Sequence, residues 1–290
     1  MSELRLQLDV TPPHRIRYYE EAGVVRRAFW LAGRAVVFQL TQQDDDGPVT
    51  VHAYSDRPLD DVSDRVRDAA RHMLAVDDDL AGFHAVVAND PPMAELAARL
   101  PGFKPLRVPD PWTSLVWALI DQRLSNEAGR FIRGHIADRF GPKIEVDGEQ
   151  VAVLPDPQTV LDTPHRELCE TGLSERKAEY MKEIARAALD GKIELETVAG
   201  MEPGAALQYL IDLRGIGQWT GEVAAIFGLG LRDVLPAGDP RIRRALGRLY
   251  GLPQTPDSGE ILRIAKRWTG WRSYAAVYLW RAGMPVAAGS

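Results

Sequence analysis

The sequence contains only one cysteine, Cys169, among 290 residues. One thiol cannot supply a disulfide framework, a cysteine-ligated iron–sulfur cluster or a zinc site built from several cysteines. The six histidines show no paired ligand spacing. The chain also lacks an apolar run near the roughly 20 residues that span a bilayer, and residues 1–10 lack the apolar segment of a secretion signal. We therefore expect a cytoplasmic protein with no membrane partner.

Positive charge is scarce overall, since 35 lysines and arginines face 41 aspartates and glutamates, for a net charge of −6. The distribution is uneven, because residues 205–290 carry 11 basic and 6 acidic side chains. An excess of this size can arise by chance. It can also form a basic face for nucleic acid, because phosphate contacts need only a local positive potential. Charge alone leaves both interpretations open.

The hydrophobic pattern changes along the chain. Residues 35–41 and 49–54 have the β-branched content and alternation of strands, and a polar turn between them predicts an antiparallel hairpin. Helical periodicity appears at 60–76 and then, from about residue 85, almost throughout. The later helices are predicted at 203–213, 219–229, 240–250, 258–268 and 272–281. We predict an α+β fold: a small antiparallel β-containing N-terminal domain (1–84), then a mainly α-helical domain (85–290).

Residues 213–220, Leu-Arg-Gly-Ile-Gly-Gln-Trp-Thr, join two predicted helices through a turn with two glycines. Gly215 and Gly217 permit positive φ and close approach of another backbone, while Ile216 can anchor the turn in the core. Free amides at the start of the following helix would bind phosphate. A plain helical corner is the competing interpretation, because glycine commonly ends helices.

Asp239 precedes Pro240 at the predicted start of a helix. This dipeptide is typical of an N-cap followed by proline at the first helical position. The positive end of the helix dipole also favours the ionised form of such a carboxylate. A capping role and a chemical role are compatible at this position.

These motifs together resemble the helix-hairpin-helix DNA glycosylase superfamily, most closely the 3-methyladenine DNA glycosylase II branch. The resemblance rests on Leu-x-Gly-Ile-Gly-x-Trp-Thr at 213–220, followed about twenty residues later by Leu-Pro-x-Gly-Asp at 235–239. Residues 118–122 and 268–275 and Trp280 extend it, so that it covers about 85–285. It implies a helical helix-hairpin-helix glycosylase domain.

The resemblance also implies roles for individual residues. Asp239 would be the catalytic carboxylate, and the base pocket would include Trp219, Trp280 and Val223. The DNA-binding residues would be Gly215, Ile216, Gly217 and Thr220 of the hairpin and Gln122, Arg123 and Leu124 of the wedge that fills the emptied duplex position. Main-chain carbonyls at Ile211, Leu213 and Ile216 would hold a structural Na⁺ or K⁺ ion, and no cofactor would be required.

One position indicates the type of enzyme, and two others depart from the family pattern. Trp219 stands where lyase-competent members carry a Schiff-base lysine, which implies a monofunctional enzyme. Asp121 stands where members usually have glycine, and Arg123 where they have an apolar residue or glutamine, so that either Arg123 or Leu124 could be the wedge.

The expected function is therefore a monomeric DNA glycosylase of base excision repair. It would flip 3-methyladenine- and 7-methylguanine-type bases out of double-stranded DNA and excise them by hydrolysis. Two alternatives remain open at this point: an oxidised-base glycosylase with lyase activity, and a non-catalytic helix-hairpin-helix DNA-binding protein.

Overall fold

The computed structural model describes residues 2–8, 15–20, 23–45, 47–193, 198 and 201–283. An N-terminal sheet precedes a series of helices, which confirms the predicted α+β class. The sheet contains β1 (Ser2–Leu8), β2 (Val24–Leu31), β3 (Arg34–Thr41) and β4 (Val49–Ser55). Its order is β1-β4-β3-β2, and each neighbouring pair is antiparallel.

The predicted hairpin is confirmed as β3 and β4, whereas β1 and β2 were not predicted. In β2 two arginines interrupt the apolar pattern that identifies a strand from sequence. The structure explains one of them, because Arg26 lies directly opposite Gln39 of β3 and its Nε donates to the Gln39 side-chain oxygen at 2.7 Å. A cross-strand polar pair of this kind is visible only once the pairing is known.

Successive residues of β3 point to opposite faces of the sheet, and each face packs against other elements. Val36, Phe38 and Leu40 share a core with the first helix, α1 (Ser63–Met73). Ala35 and Val37 share another with the hairpin of β5 (Lys143–Val146) and β6 (Glu149–Ala152). The second hairpin comes from the later part of the chain, so it fixes the sheet against the helical part.

The remaining helices form the main core. They are α2 (Leu80–Val87), α3 (Pro91–Ala98), α4 (Pro111–Asp121), α5 (Asn126–Phe140), α6 (Pro157–Asp162), α7 (His165–Glu170), α8 (Glu175–Leu189), α9 (Pro203–Asp212), α10 (Gln218–Phe227), α11 (Pro240–Leu249), α12 (Ser258–Ile264) and α13 (Arg272–Ala282). The later predicted helices are confirmed to within one or two residues at most ends. Residues 258–268 differ, because α12 stops at Ile264 and a 3₁₀ turn, Ala265–Trp268, follows.

Two helices of this core, α2 and α13, can be compared directly with the sequence-based predictions. The predicted border between residues 84 and 85 falls inside α2, whose Leu80, Phe83 and Val87 pack in the helical core. Helix α13 is buried along almost its whole length, from Ser273 to Trp280, as its uniformly apolar sequence predicts. Helices α10 and α13 bring the predicted pocket residues to one cavity, which α4 also lines.

Candidate active site

A cavity of about 540 Å³ lies between these helices and the segment around Tyr18, a volume typical of small-ligand sites. Seven aromatic residues line it: Tyr18, Tyr19, Phe103, Trp117, Trp219, Phe227 and Trp280. Seven arginines also line it: Arg27, Arg130, Arg133, Arg241, Arg244, Arg248 and Arg281. Asp121 is the acidic residue of the lining. The walls therefore combine flat aromatic surfaces with a strongly positive local potential, although the whole chain is acidic.

Asp239 caps α11 directly behind this lining and is only 1% exposed. Its Oδ1 accepts the main-chain N–H groups of Arg241 at 2.7 Å and Ile242 at 3.3 Å. Its Oδ2 accepts Trp219 Nε1 at 2.8 Å and Arg241 Nη2 at 3.0 Å. Trp219 and Arg241 both line the cavity, so these two side chains connect the carboxylate of Asp239 to the cavity wall.

The surroundings of Asp239 keep it ionised. Burial on its own would raise the pKa of this carboxyl, but the Arg241 guanidinium and the Trp219 N–H hold the pKa below the usual 3.8. Hydrogen bonds and a positive charge that favour the charged form thus outweigh desolvation. At neutral pH the site presents a buried negative charge neutralised by one arginine.

The three predicted base-pocket residues lie together on the cavity wall. Trp219 and Val223 come from α10 and Trp280 from α13. The Trp280 ring stacks on Phe227, with centroids 5.8 Å apart and planes 24° from parallel. Its Nε1 is buried and has no hydrogen-bond partner in the part of the chain that the structure describes.

The glycine turn joins α9 and α10 as predicted. Gly215 has φ +94°, and a Cβ there would lie 2.7 Å from the Tyr180 ring, so only glycine fits. Ile216 is buried, and its N–H donates to Leu213 O at 3.0 Å. Gly217 is exposed and supplies no side-chain cap to α10. The first amides of α10 therefore begin at an open surface.

The structure corrects the prediction that the Thr220 side chain contacts DNA. This side chain is not available to a phosphate, because the residue is 1% exposed and its Oγ1 accepts Gln122 Nε2 at 2.5 Å. Gln122, predicted as part of the wedge, is thereby turned inward. The pair instead ties the loop after α4 to the hairpin, because the packing of α4 against α10 places these two residues face to face.

The loop after α4 exposes one wedge candidate more than the other. Arg123 is exposed and has φ +58°, a conformation that is strained for any residue except glycine. Leu124 is half-buried, and its N–H donates to Asp121 O at 3.1 Å. Lys177 of α8 fixes the loop from below by donating to Ile120 O at 2.7 Å and Gln122 O at 2.8 Å.

The carbonyl groups predicted to hold a monovalent cation lie at the end of α9 and in the turn. Leu213 O already accepts the Ile216 N–H, but a carbonyl oxygen has a second lone pair. The donor set is thus oxygen-only and uncharged, which suits Na⁺ or K⁺. Among the described residues, no cluster of three or more His, Cys, Asp or Glu side chains could hold another metal ion.

Sequence reasoning missed the basic residues of the cavity. Arg241 lies on the first turn of α11, where the sequence predicts a solvent-exposed charge. Arg133 forms an ion pair with Asp121. Asn126 at the start of α5 accepts Arg241 Nη1 at 2.8 Å. The Arg-rich composition after residue 205 indicated some of this charge. Nothing in the sequence indicated that α5 would add Arg130 and Arg133 to the same wall.

The fold and the site define a protein of base excision DNA repair. Residues 116–270 match the HhH-GPD superfamily of base excision DNA repair proteins, a stretch that includes the hairpin, Asp239 and about half of the cavity lining. The chain belongs to this superfamily, and the predicted family is confirmed.

Three similar proteins illustrate the match. A DNA-3-methyladenine glycosylase of Bacillus subtilis is 28% identical over 206 residues, 71% of this chain and 68% of the relative. A 3-methyladenine DNA glycosylase structure from Archaeoglobus fulgidus superposes with a TM-score of 0.81 at 25% identity, covering 96% of this chain and 98% of the other. A Schizosaccharomyces pombe 3-methyladenine DNA glycosylase in complex with abasic DNA gives 0.61 at 27% identity, covering 70% and 96%.

Proposed function

We propose that this protein is a monofunctional DNA glycosylase that excises alkylated purines, of the 3-methyladenine and 7-methylguanine type, from double-stranded DNA. The observation that carries the proposal is the ionised Asp239 behind Trp219 and Arg241, at the wall of a cavity lined by aromatic rings. Membership of the base excision repair superfamily and the names of the relatives support it.

The chemistry suits these residues. N3-methyladenine and N7-methylguanine are already cationic, so they leave without a general acid. The remaining need is to stabilise positive charge that develops on the sugar as the glycosidic bond lengthens, and to activate water. One ionised carboxylate can do both, by electrostatic stabilisation and by general-base assistance. Aromatic faces such as that of Trp280 hold the cationic ring.

Access to the base requires that the nucleotide leave the duplex, at a cost of a few kcal/mol. The open N-terminus of α10 after Gly217 is suited to bind a backbone phosphate. We assign the wedge to Arg123, because it is the more exposed of the two candidates and its backbone has a positive φ of +58°. Thr220 and Gln122 then act as internal supports of these two DNA contacts.

Both alternatives are less favoured by the site. Trp219 occupies the position of the lyase lysine, and its N–H is committed to Asp239, so the chain has no amine there for a Schiff base. A purely structural DNA-binding protein would need a helix cap at Asp239, but it would not need that carboxylate to be held ionised by two residues that line a cavity of this size.

A product screen tests the proposal directly. The purified protein is incubated with methylated genomic DNA, and the released bases are identified by mass spectrometry. Release of free methylated purines, with no strand cleavage and no adduct trapped by borohydride, is the expected result. Binding of the DNA without release of any base would contradict the proposal.

Three further properties belong to the proposal. The protein acts as a monomer in the cytoplasm, which sedimentation and cell fractionation can check. Among the described residues no helix has the length and apolar character to cross a membrane.

The carbonyl groups of Ile211, Leu213 and Ile216 bind Na⁺ or K⁺ when DNA is held. At constant ionic strength we expect weaker DNA binding in Li⁺ than in K⁺, and equal affinities would contradict the cation site.

A further inference from the structure

Arg241 occupies the space between the carboxylate of Asp239 and the face of Trp280. Its Nη2 lies 3.0 Å from Asp239 Oδ2 and its Nε lies 3.3 Å from Oδ1. Its guanidinium carbon lies 5.5 Å from the centroid of the Trp280 ring. A flat, delocalised cation thus stands against one carboxylate and one aromatic face, which are the two groups proposed to receive a flat, cationic purine.

This placement makes Arg241 the counter-ion of a charge that cannot reach water. The Asp239 side chain is 2% exposed, whereas that of Arg241 is 39% exposed and can turn outward. Without the guanidinium, the carboxylate would keep the Trp219 indole N–H and two main-chain N–H groups but would lose its cationic partner, and a buried charge without a counter-ion is costly. An occupant that brings positive charge of its own can therefore take the place of Arg241 without leaving Asp239 without a counter-ion.

We propose that Arg241 is a specificity-determining residue, which makes the site admit cationic purines in preference to neutral ones by exchange of counter-ions at Asp239. The inference rests on the proposed function. A cationic base replaces the guanidinium with a ring of like charge and shape, so Asp239 stays neutralised. A neutral purine cannot make this exchange, so Arg241 stays paired with Asp239 and its positive charge opposes the charge that develops on the sugar.

Arg241 has a second anchor that supports this exchange. Its Nη1 donates to Asn126 Oδ1 at 2.8 Å, on the exposed side of the cavity and directly beyond the loop that carries Arg123. When the guanidinium leaves Asp239, it can swing about this outer contact towards the mouth of the cavity. The side chain thus has a path out that does not cross the core.

The test compares excision of one cationic and one neutral purine by the same variants. Duplexes carry a single 7-methylguanine or a single hypoxanthine in the same sequence context, and single-turnover rates are measured with wild type, Arg241→Gln and Arg241→Lys. We expect Arg241→Gln to raise the rate ratio of hypoxanthine to 7-methylguanine by at least about tenfold, which corresponds to about 1.4 kcal/mol. Arg241→Lys keeps the charge without the planar fork and should give an intermediate ratio.

Arg244→Gln is the matched control. Arg244 lies on the same helix, lines the same cavity and is exposed, and it is not among the partners of Asp239 in the part of the chain that the structure describes. Its loss removes the same charge from the cavity, so we expect the ratio to stay within about twofold of wild type, because exposed charges are screened by solvent. An equal rise in Arg244→Gln would show a general effect of cavity charge and overturn the inference.

The remaining outcomes separate the inference from the function on which it rests. If wild type releases 7-methylguanine and the Arg241 variants leave the ratio unchanged, or release no hypoxanthine at all, the inference is wrong and the function stands. If wild type releases no base from either duplex or from methylated genomic DNA, the proposed function itself fails.

Discussion

Two helices of this protein begin with the dipeptide Asp-Pro, in which the aspartate is a buried cap. The pKa values of these two carboxyl groups nevertheless shift in opposite directions. Asp110–Pro111 opens α4 and Asp239–Pro240 opens α11. Asp110 accepts N–H groups from Trp30, Trp112 and Thr113 and the Thr113 hydroxyl, all uncharged donors. Burial therefore dominates and raises its pKa, whereas Arg241 and Trp219 lower that of Asp239.

The comparison shows that an Asp-Pro helix cap is not by itself a candidate catalytic group. What distinguishes Asp239 is its side-chain hydrogen bonds to residues that line the cavity. Both aspartates satisfy the first amides of a helix, which is a structural task. Asp239 alone of the two receives a guanidinium and an indole N–H from residues that line the cavity. Sequence cannot separate the two, because the partners of a cap are set by tertiary packing.

The largest expected effect comes from removing each negative charge in turn. Asp239→Asn should lower the single-turnover rate of 7-methylguanine release by about 100-fold or more, the range of general-base contributions, while DNA binding persists. Asp110→Asn should keep the rate per folded molecule and cost about 1–3 kcal/mol in stability, because its amide would face N–H donors. Urea unfolding measures the second effect. Comparable losses of rate in both variants would mean that the two caps do not differ in function.

The same pair shows which parts of this molecule were predictable. Local chemistry predicts Asp239 as a helix cap, and its predicted catalytic role comes from the family resemblance of the Gly-Ile-Gly turn and the Leu-Pro-x-Gly-Asp motif taken together. The helices followed from their 3.6-residue period. Thr220 was misassigned because its hydroxyl faces Gln122, 98 residues away in the chain. Strand β2 was missed because Arg26 finds its partner on another strand.

The opposite pKa shifts predict opposite dependences of stability on pH. The lowered pKa of Asp239 contributes stability that is present above the ordinary value of 3.8 and is lost as pH falls through the folded value. The raised pKa of Asp110 does the reverse, because its ionisation opposes folding as pH rises from 3.8 to the folded value.

The difference in unfolding free energy between wild type and Asp239→Asn should therefore shrink towards acid pH. The difference between wild type and Asp110→Asn should grow in favour of wild type over the same change. Urea titrations from pH 3 to pH 7 give both curves. Parallel curves would show that Arg241 does not stabilise the ionised form of Asp239 in solution.

The smallest expected effect comes from removing one neutral donor from each carboxylate. Trp219→Phe keeps a ring in the cavity but loses the N–H that donates to Asp239 Oδ2, and Thr113→Val loses the hydroxyl that donates to Asp110. We expect Trp219→Phe to slow release about tenfold and to move the acid limb of its pH–rate profile upward, because that N–H helps to lower the pKa of Asp239. Thr113→Val should cost about 1–3 kcal/mol in stability with no change in the profile. If the acid limb of the Trp219→Phe profile does not move, the Trp219 N–H does not help to lower the pKa of Asp239. Trp219 would then only line the pocket, and Arg241 would be the residue that lowers this pKa.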